Sequence, residues 1–318
     1  MKLFVLSILL IITLSAYAQQ NRQPPVPLFD QAKEMYNAGK YDEALLLVNQ
    51  LLANNMVSER IFDLRGEIYL AKGDMDSALV NYRAGLLLAP TYPTIYFHRA
   101  FAYCKIHLYD EGIEDFNTAI KYAGSDSAKY AIIANRGMAR MMSGDFSEAY
   151  NDYKMVLQFD STDVMSTVAM GSVLRKLGKK NEATAYYEKA VRLAPNEIVT
   201  VGDLGFHYMS LGDYKGAIRQ YTKVLEIDPD NAIAYNNMGH AKYQLKDLKN
   251  ALKDIQRSIA LDPKNSYAYR NRALVYLAMN QSDKACEDLH QAINLGYTTM
   301  YGDDVQQLLE KHCVFKGL

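Results

Sequence analysis

The sequence predicts an all-α protein, a solenoid of about eight helix pairs closed by a C-terminal capping helix. Three observations predict it. Residues 198–231 and 232–265 align without a gap as two blocks of equal length. In each, a glycine (Gly205, Gly239) sits within a first apolar-periodic segment, an alanine (Ala217, Ala251) follows twelve residues on, and the block closes on Asp-Pro (Asp228-Pro229, Asp262-Pro263). Two amphipathic helices and a proline stop in a fixed period describe a unit that stacks on copies of itself. The same register then covers residues 25–299, as 25–58, 59–92, 93–126, 130–163, 164–197, 198–231, 232–265 and 266–299, with a three-residue insertion at Ser127–Lys129. Position 8 is Ala32, Gly66, Ala100, Gly137, Gly171, Gly205, Gly239 and Ala273, and position 20 is Ala44, Ala78, Gly112, Ala149, Ala183, Ala217, Ala251 and Ala285. A larger side chain where two helices cross closely would force their axes apart. Thirdly, Gly73-Asp74, Gly144-Asp145 and Gly212-Asp213 supply a left-handed helix end followed by an N-cap, while Pro90, Pro195, Pro229 and Pro263 stop the second helix of their units.

Taken in order, Lys2, the apolar run Leu3–Leu14 and Ala16-Tyr17-Ala18 read as a secretory signal peptide over residues 1–18, cleaved before Gln19. A retained membrane anchor is the alternative. No cysteine follows the run to take a lipid. Residues 19–27 read as a polar, proline-rich linker. Within the repeats, aromatics recur at positions 4, 11 and 24, among them Tyr96, Tyr103 and Phe116 in the third unit, which places most of the 25 tyrosines in packing between helices. The turn of the third unit departs from the pattern, with His107-Leu108 in place of Gly-Asp, and Met56, Gly124 and Ser161 stand where a closing proline is expected. Residues 300–318 read as a cap helix started by Asp303 or Asp304, with Val305, Leu308 and Leu309 as its apolar stripe.

On these residues the chain resembles the tetratricopeptide repeat (TPR) family, of the exported bacterial type. The resemblance implies a right-handed α-solenoid whose first helices line a concave groove, with positions 2, 5, 9, 12 and 13 pointing inward. Carried over to this sequence, the groove residues are Phe97, Phe101, Met138, Met141, Met142, Met165, Arg175, Lys176, Phe206, Met209, Asn236, His240 and Tyr243. This is an apolar, methionine-rich trough suited to adaptable contact with a peptide; the alternative is that several of these side chains complete the core. The carboxylate clamp of chaperone-tail binders requires Lys at position 5 and Asn at position 9 of one unit, and no unit has that pair.

Function is bounded further by what the sequence does not contain. A formal net charge of −1 leaves no basic surplus for nucleic acid. The histidines, at 98, 107, 207, 240, 290 and 312, form no metalloprotease, phosphate-loop or nucleophile motif, so no enzyme activity and no cofactor are expected. Cys286 and Cys313 fit either a disulfide, which export would permit, or two buried thiols; with His290 and His312 they also have the composition of a zinc site. Cys104 would remain free. The resulting expectation is a non-catalytic binding scaffold of the cell envelope, periplasmic or secreted, with a protein or peptide partner. A self-associating or enzyme-accessory subunit is the alternative.

Overall fold

The computed structural model describes residues 26–313. The signal-peptide reading, residues 19–25 of the linker reading and the last five residues of the tail lie outside the described residues. Among the described residues the chain is helical and contains no strand. It divides into two compact bodies, Met1–Ser161 and Thr162–Leu318.

In the N-terminal body the helices are α1 (Val26–Asn37), α2 (Tyr41–Ala53), α3 (Glu59–Lys72), α4 (Met75–Leu88), α5 (Pro93–Lys105), α6 (Tyr109–Lys121), α7 (Asp126–Ser143) and α8 (Phe146–Phe159). In the C-terminal body they are α9 (Val164–Lys176), α10 (Lys180–Leu193), α11 (Ile198–Leu211), α12 (Tyr214–Ile227), α13 (Ala232–Gln244), α14 (Leu248–Leu261), α15 (Ser266–Ala278), α16 (Ser282–Asn294), α17 (Tyr297–Tyr301) and α18 (Asp304–His312). Within each body, each helix through α16 packs on its chain neighbour, and odd-numbered helices touch across repeats, as α3 with α5 and α13 with α15. α1 starts at Val26, inside the stretch read as linker. The insertion Ser127–Lys129 is no loop. It is absorbed as an added turn at the start of α7, capped by Ser125, whose hydroxyl accepts from the Ala128 N–H at 3.2 Å.

The turns between paired helices share one backbone device. Position 15 of every unit has positive φ: Gly39, Gly73, His107, Gly144, Gly178, Gly212, Lys246 and Asn280. His107 at 63° and Lys246 at 66° therefore hold a conformation that glycine adopts freely and a side chain resists. The third unit keeps the turn geometry although it lacks the Gly-Asp pair. Asp74, Asp145, Asp213 and Asp247 then accept from the backbone N–H three residues on, capping the second helix of their pairs.

The small residue at position 8 has a specific neighbour, the position-24 side chain of the same unit. A Cβ on Gly66 would lie 2.4 Å from Tyr82 Cε1, and on Gly205 it would lie 2.9 Å from Tyr221 Cε1. Gly137 and Gly171 meet Tyr153 and Tyr187 at 3.1 Å, and Gly239 meets Ile255 at 2.5 Å. Where position 24 is Val48, Phe116 or Leu289, position 8 carries alanine.

A second interaction within the pairs joins positions 7 and 23. Arg99 donates to both carboxylate oxygens of Asp115 at 2.6 and 2.7 Å, Arg136 to Asp152 at 3.0 and 2.5 Å, and Arg272 to Asp288 at 2.7 Å twice. These are fork-to-carboxylate bonds. The tyrosines at positions 4 and 11 flank that arginine: Arg99 lies over Tyr96 and Tyr103 at 5.5 and 5.8 Å, and Arg272 over Tyr269 and Tyr276 at 5.4 and 5.9 Å. These tyrosines serve as cation platforms as well as spacers.

The cap differs from the single helix expected. It consists of α17 and α18, and only α18 carries the predicted stripe, with Val305 and Leu309 buried against Tyr276, Leu289 and Ala292. Asp303 makes no side-chain cap bond, and Asp304 instead accepts from Arg270 at 2.6 and 3.0 Å, tying the cap to α15. Cys286 and Cys313 are joined as a disulfide across a sequence separation of 27. That bond removes both thiolates, so the zinc arrangement with His290 and His312 is not formed. Cys104 is free.

Candidate partner-binding faces

Every expected groove residue lies on an odd-numbered helix, so each is placed by the first helix of its unit. The two bodies bring them together differently.

In the N-terminal body, Phe97 and Phe101, one turn apart on α5, meet edge to face at 4.9 Å, and both rings pack on buried Phe116 at 5.8 and 5.7 Å. They contribute to the core as much as to a surface. Phe101, Met138 and Met142 open onto a shallow pocket of about 190 Å³ whose floor includes Phe116 and Ala139 and whose rim carries Lys105 and Asn135. Met138 and Met142 are exposed. Met141 is half-buried and stands outside that lining.

In the C-terminal body Phe206 is the centre. Its ring is 53% exposed at the middle of α11 and borders two pockets. One, of about 350 Å³, is lined by Ile198, Val199, Asp203, Tyr221 and Ile233 among others. The other, of about 660 Å³, takes in Met209, Asn236 and His240 with Tyr267, Met300 and Tyr301. Arg175 lies over the Phe206 ring at 5.5 Å. Asn236 is buried at the floor, where it accepts from Asn271 at 3.0 Å and donates to Asn237 at 3.3 Å. Tyr243 stands outside the larger pocket, its ring 5.9 Å from that of His240 and under the Lys246 ammonium. Met165 is exposed on α9 and lines neither pocket, and Lys176 is likewise outside both.

Electrostatically this face is muted. Burial raises the Asp203 pKa, partly opposed by Arg175. Burial lowers that of His207, helped by Arg175, and its Nε2 meets the Thr184 hydroxyl at 2.8 Å. His240 is pushed down to about 4 by burial and by Arg270, so it is neutral at pH 7. The face offers apolar area, the rings of Phe206, Tyr221, Tyr267 and Tyr301, and one arginine.

The sequence reading passed over Val199, Ile233, Tyr267, Met300 and Tyr301. Val199, Ile233 and Tyr267 stand at position 2 of their units, the position that marked Met165, so the register itself contained the signal. Met300 and Tyr301 belong to the cap region, where no repeat register applies.

Models of the tetratricopeptide repeat match residues 232–265 and 255–287 and, in a third form, 168–197. A further TPR repeat model matches 66–106 and 205–246. The chain belongs to the tetratricopeptide repeat family. This TPR chain is 30% identical over 99 residues to a FAM10 family protein of Arabidopsis thaliana, covering 31% of itself and 22% of that protein. It is 26% identical over 154 residues to the TPR repeat-containing thioredoxin TDX of the same plant, covering 48% of itself and 36% of that relative. The chain thus spans about a third or less of the length of these curated relatives. Among solved structures it is similar to a tetratricopeptide repeat protein from Parabacteroides merdae, with a TM-score of 0.65 at 16% identity over 80% of this chain and 98% of that one. It is also similar to the C-terminal part of a TPR repeat-containing protein from Cytophaga hutchinsonii, with a TM-score of 0.53 at 22% identity over 87% and 98%. These likenesses concern the TPR fold, an architecture that supports protein–protein interaction. Among the described residues, no helix is long and apolar enough to cross a membrane.

Proposed function

We propose that this TPR protein is an exported, non-catalytic scaffold of the cell envelope that holds an apolar segment of a partner protein on its first-helix faces, chiefly around Phe206. The observation that supports this most is the exposed Phe206 ring between two pockets, flanked by exposed Val199 and Ile233 and stacked under Arg175. An exposed aromatic in an apolar surround with one cation is the composition of a binding hot spot. The three cysteines, at 104, 286 and 313, form no Cys-x-x-Cys pair of the kind a thioredoxin uses, in line with a role outside redox catalysis. Export is supported by the sequence of residues 1–18 and by the disulfide, which persists in oxidising compartments.

The test is crosslinking and pull-down from envelope extract with the wild-type protein beside a Phe101→Asp, Met138→Asp, Phe206→Asp variant that retains its helical circular dichroism. A partner lost from the variant, with crosslinks mapping to α11 and α13, supports the reading. Identical catches reject it. Export is tested separately by fractionation and by trapping thiols in intact cells, where Cys286 and Cys313 should resist alkylation. A second reading, self-association, rests on exposed Leu46, Val80 and Leu87 of α2 and α4. Light scattering of wild type and Leu46→Glu, Val80→Glu separates it from the first.

A further inference from the structure

Away from the groove residues, the N-terminal body has a pocket of about 410 Å³ in which Asp63, Glu67 and His98 converge beside Phe29, Tyr36 and Tyr92. Asp63 and Glu67 lie one turn apart on α3, at positions 5 and 9 of their unit. His98 comes from the adjoining α5 at position 6. One ligand atom from each of the three lies within 4.8 Å of the others. Asp63 is 6% exposed, and its Oδ1 is 2.8 Å from His98 Nδ1. An imidazole that donates its Nδ1–H to that carboxylate presents a lone pair at Nε2. Nε2 faces Glu67 Oε1 at 3.5 Å; against the effect of burial, the two carboxylates favour a proton on this imidazole, and a metal ion in the gap would take that proton's place. Two ligand atoms each about 2.0–2.1 Å from a tetrahedral metal stand roughly 3.4 Å apart, so the gap has the width an ion needs.

A separate observation points the same way. The Tyr82 hydroxyl is fully buried and has no hydrogen-bond partner. Its ring lies 6.3 Å from that of His98. A buried, unpartnered hydroxyl this near the histidine is a group that the water shell of a bound ion would satisfy.

We propose that Asp63, Glu67 and His98 form a binding site for one divalent transition-metal ion, with His98 Nε2 and Glu67 as ligands and Asp63 as the carboxylate that positions the imidazole. A carboxylate bonded to the far nitrogen of a ligating histidine is the usual outer support of such a site. One nitrogen and one oxygen ligand suit Zn²⁺ and disfavour Mg²⁺ and Ca²⁺, which prefer all-oxygen shells. Lys33 and Arg60 line the same pocket, with Arg60 held over the Phe29 ring at 4.8 Å. Their charge opposes a cation, so micromolar affinity is expected and not the tighter binding of a closed structural site.

The test is titration of the purified, disulfide-intact protein with Zn²⁺ against a chromophoric chelator, and with Co²⁺ followed by visible absorption. Wild type should take up one equivalent of Zn²⁺ that excess Mg²⁺ does not displace, and should give Co²⁺ bands of a nitrogen–oxygen site. Glu67→Gln and His98→Gln should lose that equivalent, and Asp63→Asn should weaken it about 10- to 100-fold. Three outcomes overturn the proposal: no uptake by wild type, no Co²⁺ bands, or uptake unchanged in the variants, which would put the metal on exposed His107, His290 or His312. Each variant is first checked for wild-type helicity and melting. Should a variant fail to fold, the Co²⁺ spectrum is read on a chain with His107, His290 and His312 each changed to Gln: bands that persist keep the assignment to His98, and their loss overturns it. No partner enters the titration, so its result is independent of the scaffold reading.

Discussion

Replacing Gly66 with alanine sets two opposed effects against each other, and the distances decide between them. In a helix interior alanine is favoured over glycine by about 0.8–1.0 kcal/mol. Against this, the new Cβ of Gly66→Ala would stand 2.4, 2.7 and 2.9 Å from three atoms of the Tyr82 ring. Tyr82 is fully buried, so the ring must shift into neighbours that are already packed, an overpacking cost of about 1–3 kcal/mol. The net expectation is destabilisation of up to about 2 kcal/mol, toward the upper end because the contact is as short as 2.4 Å. Gly171→Ala meets Tyr187 at 3.1 Å, where a displacement of a few tenths of an ångström suffices, and the two effects should nearly cancel. Urea unfolding followed by circular dichroism measures both. The double variant Gly66→Ala, Tyr82→Leu copies the Ala273–Leu289 pair of the eighth repeat and should recover part of the loss beyond additivity. If Gly66→Ala proved more stable than wild type, or if the two glycines responded alike, position 8 would not be set by its position-24 neighbour.

Three further outcomes follow from single sites. Lys246→Gly relieves a left-handed lysine and should raise stability by about 1 kcal/mol in urea; His107→Gly should gain less, because His107 Nδ1 also meets the Tyr109 hydroxyl at 2.7 Å. Asp152, 1% exposed, accepts from Arg136 and from Arg140, so Asp152→Ala removes the carboxylate both share, leaving Arg136 on Asn117 and Arg140 on Glu148, and should cost about 3 kcal/mol, with little relief from added salt. His240, pushed down to about 4 by burial and Arg270, binds its proton more weakly folded than unfolded. Its contribution is therefore intact above the unfolded value near 6.5 and is lost as pH falls toward 4, by on the order of 2–3 kcal/mol. The difference between wild type and His240→Gln, measured by urea unfolding from pH 7 to 4, isolates that slope from the carboxylates; a constant difference across the range would refute it.

The helix pairs were legible in the sequence because their determinants recur at fixed positions: glycine or alanine at 8 and 20, proline after the second helix, aspartate after the turn. What repetition could not reveal is which neighbour each residue meets. The position-8 residues read as markers of a close helix crossing, and the neighbour each glycine meets is the position-24 side chain of the same unit, a tyrosine ring for Gly66, Gly137, Gly171 and Gly205 and Ile255 for Gly239. The arginine–aspartate bonds join residues sixteen apart, a separation that no local helical period brings together, so they emerge only once the two helices pack. The His107 turn read as a break in the pattern because the residue type changed, while the backbone kept its positive φ at some cost. The cap was legible only in its apolar stripe, since Asp304 serves Arg270 and not the helix start.

The candidate sites were less legible than the fold for a related reason. Framework positions are constrained by neighbours inside the same repeat, so they repeat. Face positions are constrained by whatever occupies the face, so they vary from repeat to repeat on an unchanged backbone. Position 5 is Asp63 in one repeat and Asn236 in another; the first sits against His98 at 2.8 Å and the second is buried against Asn271 at 3.0 Å. Position 9 is likewise Glu67, Met138 and Phe206, one beside an imidazole and two exposed to solvent. One scaffold thereby presents an acidic, histidine-bearing pocket in its N-terminal body and an apolar, aromatic face in its C-terminal body. Departure from the repeat at inward positions, and not conformity to it, is where this chain's own chemistry is written.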